Sequence, residues 1–405
     1  MTGRLVIVGA GQAGFALAAK LRSLKDTRPI TIIGAEDCLP YQRPPLSKRY
    51  LLGEMSFDRL LFRPESWFAE NDVEIRLASP VEEIDRETKH VRLFDGSAIA
   101  YETLALATGA APRRLPAAIG GDLAGVYTVR DRKDADRLAD EMRAGRRLLI
   151  VGGGYIGLEA AAVARHLGLE VTLIEMADRI LQRVAAKETS DAMRAIHLAH
   201  GVVIQEKTGL VRLIGEDGKV KGAELSDGSV FDVDFVIVGI GVVPNDQLAA
   251  DAGLETASGI VVDQFARTSD PAIFAMGDCA VFAWKGQRIR LEAVQNAVDQ
   301  AEAAAALMAG GTEPYDPKPW FWSDQYDVKL QIAGFNLGYD ETVVRQGARE
   351  NSLSVWYYKD GTFIAVDAIN DAKAYVTGKK LLELDRSADK AVIADPSSDL
   401  KQLLS

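Results

Sequence analysis

The sequence predicts an α/β protein of more than one domain, on three observations. Two short apolar runs each empty into a glycine-rich turn followed by an alanine-rich helical stretch. The chain has 405 residues, and at about 150 residues per domain it should hold two or three domains. Near its end, Leu353 to Tyr358 and Thr362 to Val366 flank Lys359-Asp360-Gly361 and read as a β-hairpin.

The first run is Arg4 to Val8, suited to a buried parallel strand, and it leads into Gly9-Ala10-Gly11-Gln12-Ala13-Gly14. Gly9 allows the tight turn, Gly11 keeps a side chain away from a pyrophosphate, and Gly14 permits close helix packing, with the helix N-terminus facing the phosphates. A second strand, Ile30 to Ile33, ends near Glu36, about 20 residues past the loop, where an acid binds a ribose. The unit then recurs: strand Arg147 to Val151, loop Gly152-Gly153-Gly154-Tyr155-Ile156-Gly157, helix Leu158 to Leu167, and strand Val171 to Ile174 ending at Glu175. Two such matches predict two Rossmann-like domains binding two dinucleotides, most economically a flavin and a nicotinamide. Glu175 favours NAD, because an NADP phosphate beside it meets like charge, costing roughly 1–4 kcal/mol at about 4 Å. Arg179 and Arg183 follow closely enough to soften that repulsion.

Three further strand-to-turn junctions stand out. Leu104 to Gly109, with Thr108 before the glycine, and Phe235 to Gly241 are apolar and end in glycine, as where backbone passes something bulky, or simply where a buried strand turns. Ile273 to Asp278 places an acid just past Gly277, within reach of a cofactor hydroxyl.

Composition narrows the function. There are 47 basic and 58 acidic residues, a formal charge of -11, which argues against nucleic acid or an anionic membrane as partner. Cys38 and Cys279 are the only cysteines, so neither a disulfide framework nor a CxxC pair is available. Of the histidines His90, His166, His197 and His200, the last two share a helix face and read as a solvated surface pair; no metal site is expected. The apolar stretch Leu5 to Ala19 imitates a secretory leader, but its glycines interrupt the apolar core such a leader needs. No other stretch reaches the ~18 uninterrupted apolar residues of a spanning helix. The expectation is a cytoplasmic protein.

Taken in order, Val8 to Gly14, Arg43-Pro44-Pro45-Leu46-Ser47-Lys48, Ala107-Thr108-Gly109, Gly152 to Glu159, and Gly277-Asp278 resemble the two-dinucleotide flavoprotein reductases over the whole chain. The Arg-Pro-Pro-Leu-Ser-Lys run and Phe321-Trp322-Ser323-Asp324-Gln325 are similar to the NADH-dependent ferredoxin reductases of the putidaredoxin reductase type. Rubredoxin reductases and the apoptosis-inducing flavoproteins share much of this set.

The resemblance implies a discontinuous FAD domain (1–110 and 246–323), an inserted NAD domain (111–245) and a C-terminal α+β domain (324–405). Its activity would be transfer of electrons from NADH through FAD to a 2Fe-2S ferredoxin, which supplies a bacterial haem-thiolate monooxygenase or ring dioxygenase. Gly9, Gly11, Ala13 and Gly14 would hold the FAD diphosphate, Glu36 its ribose and Val81 its adenine. Relatives often carry an acid at the position of Ala35, so either Glu36 serves alone or the loop is shifted. Arg43, Lys48, Arg130, Thr108 and Gly109 would lie beside the cofactor, Gly277 and Asp278 at its ribityl chain, and Val294 and Gln295 at the flavin pyrimidine. Gly152, Gly154, Tyr155, Ile156, Gly157, Glu175 and Gly241 would bind NAD. Lys48 would approach flavin N5 and pair with Glu159, which positions the nicotinamide, while Trp322 packs near the ring. A disulfide-type reductase or flavin NADH oxidase on the same architecture would need a redox cysteine that neither Cys38 nor Cys279 supplies. An apoptosis-factor-like binding protein would show basic segments that are missing here. Arg288, Arg290, Lys318 and Lys329 are candidates for a local basic patch facing an acidic ferredoxin.

Overall fold

The computed structural model describes residues 3–349 and 351–404. The chain divides into two compact units: Met1–Gln42, Phe57–Ala111 and Val242–Pro317 form the first, and Arg43–Ser56, Pro112–Gly241 and Lys318–Ser405 the second.

In the first unit a five-stranded parallel sheet runs in the order Ile273–Ala275, Thr103–Leu106, Leu5–Val8, Ile30–Ile33, Val73–Arg76. Its central strand Leu5–Val8 is buried along its whole length, which is why it reads as a continuous apolar run. The helices Gln12–Ser23 and Val294–Met308 pack with the sheet; Leu17, Leu21, Ala301 and Ala305 join Leu5, Ile7, Ile30 and Ile32 in one core. Val294–Met308 is 15 residues long, and no helix among the described residues is long and apolar enough to cross a membrane.

The second unit repeats the arrangement. Its parallel sheet is ordered Val203–Glu206, Glu170–Glu175, Arg147–Val151, Phe235–Val238, Val126–Tyr127. The helix Tyr155–His166 lies against it, buried from Gly157 to Ala164. The same unit contains a five-stranded antiparallel sheet in the order Trp320–Gln325, Val328–Gly334, Thr362–Ile369, Leu353–Lys359, Glu341–Gln346. Val328, Leu330 and Ile369 from this sheet share a core with Ile150, Leu158 and Leu173. The expected hairpin is Leu353–Lys359 with Thr362–Ile369, but both faces of its first strand are covered. Trp356 and Tyr358 pack with Leu381 and Ile393 of the terminal helices, whereas Val355 and Tyr357 pack with Ala186.

Two buried ionisable groups in this unit oppose one another in their pH response. Asp367 is fully buried; its Oδ2 accepts from Tyr357 and from Thr189 Oγ1 at 2.7 Å, while Oδ1 finds no partner among the described residues. Burial raises its pKa from 3.8 to about 6. His197 is also fully buried, correcting its expected place on the surface beside His200, and burial lowers its pKa from 6.5 to about 4. The raised carboxyl gives stability that is complete below its unfolded pKa and is lost as pH rises through about 6. The depressed imidazole gives stability present above 6.5 and lost as pH falls through about 4. Asp367→Asn removes the first slope and exposes the second. Urea denaturation should show the variant more stable than wild type at neutral pH and losing that advantage on acidification, by on the order of 3 kcal/mol across the window; parallel curves would refute the assignment.

Candidate functional site

The two glycine loops use their glycines in the same unequal way. A Cβ on Gly9 (φ +117°) would meet Ala107 O at 2.1 Å, and one on Gly14 would meet Gly9 O at 2.0 Å. In the second loop a Cβ on Gly152 (φ +109°) would meet Gly239 O at 2.5 Å, and one on Gly157 Gly152 O at 2.2 Å. These four glycines are required by the protein itself. Gly11 and Gly154 are not: each has ordinary extended backbone, and a Cβ there would meet nothing within 4 Å. In both loops the middle glycine keeps open the space in front of a helix N-terminus, the place where a pyrophosphate binds. The residues present therefore fit two dinucleotides.

Around the first loop, Glu36 accepts from Tyr41 Oη at 2.7 Å, and its backbone carbonyl accepts from Ala78 N at 2.8 Å, which brings the segment leading to Val81 alongside. A Cβ on Gly277 (φ +77°) would lie 3.3 Å from Ala13 Cβ, which places the partly buried Asp278 beside the loop. Thr108 is clasped: its Oγ1 donates to Asn245 O at 2.7 Å, and Asn245 Nδ2 returns a bond to Thr108 O at 2.8 Å. Asn245 N also bonds Gly109 O at 2.9 Å. Val294 opens its helix, and the next residue, Gln295, is buried with Oε1 unpartnered among the described residues.

Around the second loop, Glu175 is held by the backbone: Oε2 accepts from Gly153 N at 2.7 Å and Oε1 from Ala177 N at 2.8 Å. Arg179, one of the two arginines expected to soften its charge, is turned inward to Ser190 Oγ and Ala185 O. Arg183 is exposed, with its NH2 3.4 Å from the position of a Cβ on Gly241 (φ +97°). The Tyr155 ring lies 4.8 Å from Phe321, and its buried hydroxyl has no partner among the described residues; Ile156 is exposed.

The second unit also assembles an ion pair. Pro44–Ser47 is a single 3-10 turn, which delivers Ser47 and Lys48 together. Lys48 Nζ bonds Glu159 Oε2 at 2.7 Å, and Ser47 Oγ bonds the same oxygen at 2.9 Å. The side chains are 17% and 5% exposed for Lys48 and Glu159, so loss of either partner would strand the other's charge in a nearly dry site. Ser323 Oγ bonds Glu159 Oε1 at 2.7 Å. Sequence reasoning missed Ser47 and Ser323. Their signal was the one charge among the small and apolar residues 157–164 of the helix, which has to find donors. Trp322, half-exposed, lies 5.5 Å from Trp320 and 6.4 Å from Phe321. Arg43 donates to Arg130 O at 2.9 Å.

No group of histidine, cysteine, aspartate or glutamate among the described residues has metal-site geometry. Cys38 and Cys279 form no disulfide. Cys279 is fully buried, its thiol directed at Met276 O and Leu106 O, and burial raises its pKa away from the reactive thiolate. Arg288 and Arg290, expected in a basic patch, are paired with Glu255 and Glu292, so they add no net charge there.

The family described as pyridine nucleotide-disulphide oxidoreductase matches residues 3–301, the span that holds both glycine loops. The chain belongs to that family. A second description, reductase C-terminal, matches residues 320–404. Among curated relatives, this oxidoreductase is 43% identical over 404 residues to a ferredoxin–NAD(P)(+) reductase of Sphingomonas sp, covering 99% of this chain and 97% of the relative. Among solved structures it is similar to the ferredoxin reductase for the CYP199A2 system from Rhodopseudomonas palustris, with TM-score 0.95, 43% identity, and 99% and 100% of the two chains covered. It is also similar to the reductase in the covalent putidaredoxin reductase–putidaredoxin complex, with TM-score 0.96, 36% identity, and 99% and 98% covered. The pyridine nucleotide-disulphide oxidoreductase is thus an enzyme dependent on FAD and NAD(P)H.

Because no protein atom opposes a side chain at Gly11 or Gly154, Gly11→Ala and Gly154→Ala should fold with apo-protein melting temperatures unchanged. The first should bind FAD at least about tenfold more weakly, and the second should raise the NADH KM by a similar factor. Tight FAD binding by Gly11→Ala in a fluorescence titration would show that the open space serves no phosphate.

Proposed function

We propose that this protein takes electrons from NADH and, through FAD, delivers them to a 2Fe-2S ferredoxin that supplies a bacterial monooxygenase of haem-thiolate type or a ring dioxygenase. The observation that carries the reading is the combination of two open dinucleotide cradles with no CxxC or CxxxxC pair: Cys279 is sealed in the core and no disulfide joins it to Cys38, so electrons arriving from the nicotinamide have no dithiol of that kind to reduce within this chain. The ferredoxin reductases among its relatives, similar along their whole length, supply the class of acceptor.

FAD, when bound, supplies the conversion of a two-electron donor into single-electron deliveries. The chain's own residues bind, orient and tune. In this reading 1–110 and 246–323 form the FAD domain, 111–245 the NAD domain and 324–405 the C-terminal domain. The amides around Gly11 and Gly154 take the two pyrophosphates. Glu175, pre-set by Gly153 and Ala177, accepts from the NAD ribose hydroxyls, and with Arg179 turned inward only Arg183 is left to receive an NADP phosphate; NADH is therefore favoured. Lys48 would supply a positive charge near the flavin, and Glu159 holds that charge in position. Trp322, half-exposed beside Trp320, would pack near the ring. For partner docking, Lys318 and Lys329 are basic candidates. The acidic balance and the lack of a disulfide between Cys38 and Cys279 suit a cytoplasmic protein.

The test is cytochrome c reduction by NADH with and without an added 2Fe-2S ferredoxin. Turnover should rise by at least about tenfold with ferredoxin and fall with added salt. Rapid oxygen consumption that ferredoxin does not alter would support a flavin NADH oxidase instead, and stimulation by rubredoxin alone would reassign the partner.

A further inference from the structure

In the Trp322-Ser323-Asp324-Gln325 run, Ser323 meets Glu159 but Gln325 has no role in the site described above. Ser323 and Gln325 alternate with Trp322 along the strand Trp320–Gln325 and point into the interior; they are 0% and 1% exposed. Each is one member of a continuous hydrogen-bonded row. Ser323 Oγ bonds Glu159 Oε1 at 2.7 Å, Gln325 Nε2 bonds Ser323 Oγ at 3.0 Å, and Gln325 Oε1 lies 2.7 Å from His197 Nε2. His197 Nδ1 lies 3.2 Å from Tyr326 Oη, and Tyr326 stacks on the exposed His200 with ring centroids 3.7 Å apart.

The polarity of this row follows from its inner end. A carboxylate only accepts, so Ser323 must give its single hydroxyl proton to Glu159. The Ser323 oxygen must then accept, which orients the Gln325 amide with its NH2 toward the serine. The Gln325 carbonyl is left facing His197, so His197 carries its proton on Nε2 and presents a bare Nδ1 to the Tyr326 hydroxyl. Every bond points toward Glu159. The other carboxylate oxygen is held by Lys48 and Ser47.

We propose that Ser323, Gln325 and His197 are positioning residues, a one-way row of donors that locks the Glu159 carboxylate in the rotamer facing Lys48. The inference rests on the reading above, in which Lys48 and Glu159 serve hydride transfer from NADH. An amide in the middle of the row is a poor proton carrier, so the row orients Glu159 and does not deliver protons to it. The burial of His197 agrees, since it keeps the imidazole neutral over the working pH range. Ser323→Ala removes the donor and frees the carboxylate to turn, which places the Lys48 charge loosely; small misplacements of this kind are costly in rate.

Two readouts test the proposal on the FAD-loaded protein. ¹⁵N NMR of labelled histidine, with the His197 signal identified by its loss in His197→Gln, should show a protonated Nε2 and an unprotonated Nδ1 at neutral pH; the opposite tautomer would overturn the row. In stopped-flow reduction by NADH, Ser323→Ala should lower the limiting rate about tenfold while leaving the apparent Kd for NADH within about twofold, and Ser323→Thr should restore it. If Ser323→Ala fails to fold, the isosteric Gln325→Glu tests the same row, because a carboxylate cannot donate to Ser323, and it should slow reduction similarly. A wild-type limiting rate in the variant that folds would overturn the inference alone. A wild type that NADH does not reduce would overturn the reading beneath it as well.

Discussion

One buried anion organises the second unit. Glu159 sits in a helix whose neighbours from Gly157 to Ala164 are otherwise small or apolar, 4% exposed, and removing a carboxylate from water costs several kcal/mol unless donors replace the water. Three do: Ser47 and Lys48 from the turn Pro44–Ser47 and the residue after it, and Ser323 from the first strand of the antiparallel sheet. Stretches separated by more than a hundred positions are thereby fastened to one point. Alanine there, as at 160, 161 and 162, would avoid this desolvation cost altogether.

The two glycine loops express a second constraint, shared between binding and folding. In each, the outer glycines are demanded by backbone atoms of the protein and the middle one by nothing in the protein. That division of labour separates a nucleotide loop from an ordinary tight turn, since the turn alone explains only the outer positions. It occurs in both parallel-sheet units, and the Cys279 thiol is sealed in the core of the first.

Local features of the fold were legible in the sequence because they depend on short-range rules. The strands Leu5–Val8 and Arg147–Val151 read as apolar runs because parallel strands are buried on both faces, and the hairpin at Lys359-Asp360-Gly361 followed from turn chemistry. The pairing of Lys48 with Glu159 came from resemblance, not spacing, since the two are brought together only by tertiary packing. What escaped were groups whose surroundings are set by distant segments. His197 shares a helix face with buried Thr189 and Met193, a pattern that marks a core position, yet its nearness to His200 suggested a surface pair. Gln325, its partner, lies 128 positions away. Likewise Glu255, the acid that neutralises Arg288, lies 33 positions away.

The central claim is that Lys48 and Glu159 form one desolvated unit, and a double-mutant cycle tests it most directly. Urea denaturation of Lys48→Met, Glu159→Gln and the double variant measures the coupling. Removing either partner strands the other in a nearly dry site and should cost about 3 kcal/mol, whereas removing both should cost clearly less than the sum of the single losses, giving a coupling of about 2 kcal/mol. Additive losses, within about 0.5 kcal/mol, would mean the two side chains act independently and would contradict the account.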